Sequence, residues 1–237
     1  FASPGKPSYL VPDTCTLHTL ATPEQDSLAS LEALVQALGA GTAEPPRQPA
    51  ARPARPRGKL TAEKVCKAIG YRMPEHCILV DEAITSGLML NALTAGAPRH
   101  DLLTLTGGAI GQGLPNAVGA AIACPDRPVL ALVGDGSAMY TIQALWTMAR
   151  ENVDVTIVIY ANRAYRILQG EMTAMGVREP GRVAKDMFGL DRPDLDWVSI
   201  AKGMGVEGEK VEETESFISA FQRGLATDGP YVVEAVI

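Results

Sequence analysis

One aspartate set between two glycines, at the mouth of an apolar strand, holds the most chemistry in this sequence. Val129 to Val133 reads as a buried strand, and Gly134-Asp135-Gly136-Ser137 follows it, with a helix expected from near Tyr140. Glycines let backbone N–H groups approach an anion closely, and a helix N-terminus favours negative charge. An aspartate in that position repels a phosphate unless a cation stands between them. The motif therefore suggests metal-bridged phosphate binding, with Asp135 as an oxygen ligand. Asp-Gly is also a common turn pair, so taken alone the motif admits a plain strand-to-helix turn.

A second residue narrows the choice. The next expected strand, Val155 to Tyr160, ends in Ala161-Asn162-Arg163. Asn162 lies 27 positions after Asp135 (162 − 135), one strand–helix–strand unit later. Adjacent parallel strands place both side chains at the same sheet edge. A carboxylate, an amide oxygen and a backbone carbonyl suit a hard octahedral ion such as Mg²⁺, completed by phosphate oxygens and water. By itself Asn162 also fits a turn that needs a left-handed residue.

The run from Gly134 to Arg163, GDGSAMYTIQALWTMARENVDVTIVIYANR, resembles the cofactor motif of thiamine-diphosphate-dependent enzymes. That family's motif ends in Asn-Asn. Here Ala161 replaces the first asparagine, and Asn162 matches the one that binds metal. The resemblance implies a Mg²⁺ held by Asp135, Asn162 and the backbone carbonyl of Ala164. It places Gly134, Gly136 and Ser137 against the cofactor, and Tyr165 near the diphosphate.

The loop Thr106 to Pro115, TGGAIGQGLP, fits the dinucleotide fingerprint G-x-G-x-x-G in no frame, which counts against a nicotinamide cofactor. In the family, the matching loop turns a carbonyl toward the cofactor's 4′-amino group and props the bent cofactor with a bulky aliphatic residue. Gly108 matches the carbonyl and Ile110 the prop. After the strand Cys77 to Val80, the resemblance makes Thr85 and Ser86 the donors to the diphosphate. Their position suits capping of a helix over Gly87 to Leu93 equally well. Arg166, Ile167, Leu168 and Glu171 fall where relatives line the substrate pocket, and Leu168 is the substrate candidate.

These residues need a scaffold that sets strand ends side by side. Beyond residue 60, apolar strands are expected at 77–80, 102–105, 129–133, 155–160 and 231–237. Helices are expected at 61–69, 114–123, 142–150, 196–204 and 213–225. Such alternation predicts an α/β fold: a doubly wound, mostly parallel sheet with helices on both faces. Ligands in such sheets sit at the C-terminal ends of the strands.

Upstream, Ser8 to Val11 reads as a short strand and Ser27 to Leu38 as a helix capped by Asp26 or Ser27 and ended by Gly39. Residues 1–42 are expected to be the end of another α/β domain. Between lies AEPPRQPAARPARPRGK, residues 43–59, with five prolines and four arginines, expected to be an extended linker. The cofactor-binding domain is then 60–237. The chain opens on Phe1 and reads as the middle of something longer.

Composition agrees with a soluble globular protein: 46% hydrophobic and 20% charged residues, net charge −6. No basic stripe points to nucleic acid. The longest apolar runs, such as Ala117 to Cys124, fall far short of the ~20 residues of a membrane span. Cys15, Cys66, Cys77 and Cys124 match no zinc spacing and fit a reducing cytoplasm. His18, His76 and His100 show no partner spacing.

Within the family, the GDGSA-x-Y run and the Ala-Leu-Trp after it are similar to benzoylformate decarboxylase, and the GG-x-IG-x-GLP loop to acetolactate synthase. The resemblance implies action on a 2-oxo acid, by decarboxylation with or without carboligation. It also implies a homodimer or homotetramer, because the family's catalytic glutamate lies in an N-terminal pyrimidine-binding domain supplied by a second subunit. No residue of this chain takes that role. A non-catalytic cofactor-binding homologue is the alternative.

Overall fold

The computed structural model describes residues 11–42, 44, 46 and 48–237. It divides into two compact units, the second beginning at Pro49. The strand expected at 8–11 lies outside the described residues, except for Val11.

In the first unit, helix α1 runs Ser27–Ala37. Asp26 caps it, its carboxylate accepting from the Leu28 and Ala29 N–H groups at 3.0 Å each. Gly39 adopts the left-handed conformation (φ 65°) that ends a helix cleanly. A 3₁₀ turn follows at Ala40–Thr42. The apolar side of α1, including Leu31, Leu34 and Val35, is exposed.

The second unit alternates helices and strands. Its first elements are α2 (Ala62–Arg72), β1 (Ile78–Glu82), a 3₁₀ turn (Ile84–Gly87), α3 (Leu90–Thr94), β2 (Asp101–Leu103) and α4 (Gly113–Ala123). Then come β3 (Val129–Gly134), α5 (Asp135–Ala138), α6 (Ala144–Glu151), β4 (Val155–Ala161), α7 (Arg166–Ala174) and α8 (Arg182–Phe188). The chain closes with α9 (Trp197–Gly203), β5 (Glu207–Val211), α10 (Thr214–Ala226) and β6 (Tyr231–Val236). All six strands are parallel, in the order β2-β1-β3-β4-β6-β5.

Side-chain alternation divides the core in two. Leu79, Leu130, Leu132, Val158 and Val233 face α2 and α10, meeting Val65, Ile69, Phe217 and Phe221. Val80, Ala131, Val133, Ile157 and Ile159 face the other way, onto Leu114 of α4, Leu145 of α6 and Trp197 of α9. With both faces covered, central strands read as unbroken apolar runs, and β3 and β4 are buried at every position. The doubly wound parallel sheet expected from the sequence is the one observed.

The proline-rich stretch holds no helix among its described residues, yet its second half is tied down. The Ala51 N–H donates to the Gly96 carbonyl at 2.8 Å and the Arg52 guanidinium to the Tyr71 carbonyl at 2.9 Å. Pro56 is buried, and the Gly58 N–H donates to the Glu215 carboxylate. Residues 49–59 thus belong to the second unit, although their composition reads as a free linker. Among the described residues, no helix is long and apolar enough to cross a membrane.

Sheet order reverses between β1 and β3: the chain leaves β1 toward β2 and returns to build outward through β3 and β4. Such a switch point opens a crevice at the C-terminal strand ends.

Candidate cofactor and metal site

Register brings the predicted ligands to that crevice. Gly134, the last residue of β3, pairs with Tyr160 of β4, so Asp135 and Asn162 leave the sheet at the same edge. Asp135 opens the short helix α5 and is only 2% exposed. Its Oδ1 accepts from the Gly136 N–H at 2.8 Å, and its Oδ2 from the Arg163 N–H at 2.6 Å. The carboxylate therefore ties the end of β3 to the turn that follows Asn162.

Asn162 is held from both ends of its amide. Its Oδ1 accepts from the Ala164 N–H at 3.0 Å, and its Nδ2 donates to the Ser86 hydroxyl at 3.2 Å. The Ala164 carbonyl accepts from the Arg166 N–H at 2.9 Å. An amide or carbonyl oxygen has two lone pairs, so both oxygens keep one free for a cation.

Electrostatics supports a cation here. Burial pushes the Asp135 carboxyl up to about 6, against the N–H groups of Arg163 and Gly136 that favour its ionised form. Among the described residues, no cationic side chain pairs with it: the nearby Arg163 guanidinium turns instead to Asp194, at 2.8 Å. A buried carboxylate without a counter-charge is costly, and a bound divalent ion removes that cost. One carboxylate with neutral oxygens is a hard-cation donor set rather than a zinc set, and no group of three His, Cys, Asp or Glu gathers elsewhere among the described residues.

A narrow cleft of about 30 Å³ beside Asp135 is lined by Ile84, Thr85, Gly134, Gly136, Ser137, Asn162, Ala164 and Tyr165, among others. Larger is an open polar groove of about 680 Å³ at the opposite edge, lined by His76, Arg99, His100, Asp101, Asp126 and Arg127. Size is the weaker guide here, because that groove lies at the N-terminal strand ends, away from the switch point. The Tyr165 ring lies where a Gly136 Cβ would stand, so this glycine is required for space rather than for its dihedral angles.

Most of the predicted residues thus converge. Ser86 joins them through its bond from Asn162, although it does not line the cleft. Gly108 and Ile110 sit on the adjacent loop, outside the lining, and Leu168 is an exposed residue of α7, also outside it. Ile84 and Arg163 had no sequence signal. Both are non-glycine residues with positive φ, 51° and 58°; Ile84 lines the cleft, and Arg163 lies between its lining residues Asn162 and Ala164. For a β-branched residue such as Ile84 this is a rare conformation, and strain of this kind gathers at functional sites.

Comparisons with known proteins point the same way. The family model described as "Thiamine pyrophosphate enzyme, C-terminal TPP binding domain" matches residues 85–235. A Mycobacterium tuberculosis protein named for the acetolactate synthase large subunit, IlvX, is 49% identical over the whole of this chain and 46% of its own length. Benzoylformate decarboxylase of Pseudomonas aeruginosa is 36% identical over 80% of this chain and 34% of its own. A solved Rhodococcus jostii thiamine diphosphate-dependent 4-hydroxybenzoylformate decarboxylase superposes with a TM-score of 0.71 at 29% identity, over 87% of this chain and 38% of that one. The chain thus spans less than half the length of these relatives. A sheet switch point, a buried carboxylate paired with no cationic side chain among the described residues and a match over most of the second unit agree: the chain belongs to the thiamine pyrophosphate enzymes and carries their C-terminal TPP-binding domain.

Proposed function

We propose that this chain is the diphosphate- and Mg²⁺-holding part of an enzyme acting on 2-oxo acids, in the manner of an acetolactate synthase. The observation that carries the reading is Asp135, buried at the switch point, paired with no cationic side chain among the described residues and bonded to the turn after Asn162. Asp135, the Asn162 amide oxygen and the Ala164 carbonyl hold the ion. Gly136 and Ser137, at the start of α5, and Thr85 and Ser86, in the turn after β1, hold the diphosphate. Tyr165 would lie near the diphosphate, and the Gly108 carbonyl and Ile110 would hold the aminopyrimidine end of the cofactor.

Bound thiamine diphosphate supplies the electron sink on which a 2-oxo acid loses carbon dioxide. This chain's residues anchor and orient that group, and Leu168 borders the substrate. The activating glutamate comes from a pyrimidine-binding domain of a second subunit, in a homodimer or homotetramer. Residues 1–42 are the end of a preceding domain of the same polypeptide. The free cysteines agree with a cytoplasmic location.

The test is calorimetric. Thiamine diphosphate should bind this chain with Mg²⁺ and not with a chelator. The full-length parent should release carbon dioxide from pyruvate. Release from benzoylformate alone would favour the simple decarboxylase instead, and no release from either would indicate a non-catalytic homologue.

A further inference from the structure

A second buried carboxylate stands near the first and belongs to no ligand set. Glu82 ends β1 and is 1% exposed. No cation pairs with it among the described residues. Both of its oxygens are given to backbone: Oε1 accepts from the Gly111 N–H, and Oε2 from the Gly113 N–H at 2.8 Å. Burial raises its carboxyl, while the amides of Gly113, Gly111 and Gln112 oppose that rise. These N–H groups lie at the start of α4, where a helix has donors without internal partners.

The fit leaves room for nothing else. A Cβ on Gly113 would stand 2.6 Å from the Glu82 Oε2. Gly111 has φ 91°, and a Cβ there would stand 2.7 Å from the Tyr140 Cβ.

Upstream, the loop has little to fix it. Gly107 and Gly108 have φ 64° and 72° and open space where a Cβ would be. The Ala109 N–H reaches the Thr106 carbonyl only at 3.3 Å. A glycine pair of this kind is soft. Among the described residues, the side chains that hydrogen-bond the loop's backbone are those of Glu82 and Thr141, whose hydroxyl donates to the Gly111 carbonyl at 2.7 Å. Glu82 also stands two residues before the turn Ile84–Gly87, whose Ile84 and Thr85 line the cleft. One side chain thus joins the strand end that leads into the cleft to the loop that carries Gly108 and Ile110.

We propose that Glu82 is a positioning residue, fixing the 107–113 loop, with Gly108 and Ile110, relative to the diphosphate cleft. The inference rests on the proposed function, because it gives Gly108 and Ile110 their roles toward the aminopyrimidine end of the cofactor.

Glu82→Gln tests it in the full chain. Glutamine keeps the shape but has one acceptor oxygen for two N–H groups. Exchange of the Gly111 and Gly113 amide protons should quicken about tenfold or more, as expected for loss of a charge-assisted bond. Inorganic pyrophosphate with Mg²⁺ reads the cleft alone, and its affinity should not change. Thiamine diphosphate with Mg²⁺ reads cleft and loop together and should weaken about tenfold. Gly113→Ala, which leaves Glu82 in place and crowds its carboxylate, should lower the same ratio of affinities.

An unchanged ratio in a folded Glu82→Gln chain would overturn the positioning role, even if the variant melts earlier. Unchanged amide exchange would overturn the clamp itself. Failure of the unaltered chain to bind either ligand would sink the proposed function instead, and with it any role for Glu82 toward the cofactor.

Discussion

Asp135→Asn separates metal binding from folding. In the metal-free chain the carboxyl has moved from 3.8 to about 6. At about 1.4 kcal/mol per unit, the ionised form at pH 7 carries a burden of roughly 3 kcal/mol. Asparagine removes that burden. It also leaves one of two buried donors, the Gly136 or the Arg163 N–H, without an acceptor, at a cost of about 1–3 kcal/mol. The effects oppose each other and are similar in size. The melting temperature of the metal-free variant should therefore stay within a few degrees of the original, since about 1 kcal/mol moves a chain of this length by roughly 2–4 °C.

Binding has no such compensation. Loss of an outer-shell partner of a metal ligand typically costs 10–100-fold, so loss of the anionic ligand itself should cost at least ~100-fold. The assay is calorimetric titration of thiamine diphosphate into the original and variant chains, each with Mg²⁺ and with chelator. Equal affinity in the folded variant and the original would refute the metal bridge. A fall of ten degrees or more in melting temperature would refute the energy balance drawn for Asp135.

Three further outcomes are expected. The 237-residue chain alone should release no measurable carbon dioxide from pyruvate or benzoylformate beside its full-length parent; removing a positioned proton-transfer group alone costs ~10²–10⁴-fold, and turnover near the parent's would show that the catalytic machinery is in this chain. Cys66 and Cys77 are buried, and burial pushes their thiols up to about 11 from 9.0. They should resist a thiol reagent at pH 8 while exposed Cys15 reacts; because the fold favours their protonated form, stability should hold below pH 9 and fall toward pH 11 by up to about 3 kcal/mol per thiol, and flat denaturation midpoints over that range would contradict this. Gly136→Ala should cost about 1–3 kcal/mol by overpacking, with part recovered in the double variant with Tyr165→Ala, and strictly additive losses would show that the ring is not the obstacle.

Legibility in the sequence followed from how local each signal is. Asp135 and Asn162 could be read because a parallel β–α–β unit places consecutive strand ends together, so spacing along the chain encodes proximity in space. Buried strands β1, β3, β4 and β6 are mostly apolar and were equally plain. Edge strand β5, Glu-Gly-Glu-Lys-Val, was not, because only Val211 is fully buried and the rest has the composition of a surface loop. Helices α7 and α8 were not anticipated, and neither buries a residue in the core. Residues 49–59 read as free linker because they dock through backbone groups, which composition does not record.

Glu82 was hidden for a different reason. A glutamate at a strand end ordinarily points to water, and its partners stand 29 and 31 residues away, in a loop whose glycines the family resemblance already accounted for. Ile84 and Arg163 are the extreme case, since nothing in either side chain calls for positive φ. Each such conformation costs about 1–3 kcal/mol and persists only where the surroundings impose it. Here Ile84 lines the cleft beside Asp135, and the Arg163 N–H donates to that carboxylate, which pairs with no cationic side chain among the described residues. One strained residue lines the cleft and the other adjoins its lining in sequence, and the fold meets their cost through its two buried cores, so that a ligand would draw on groups already held in place.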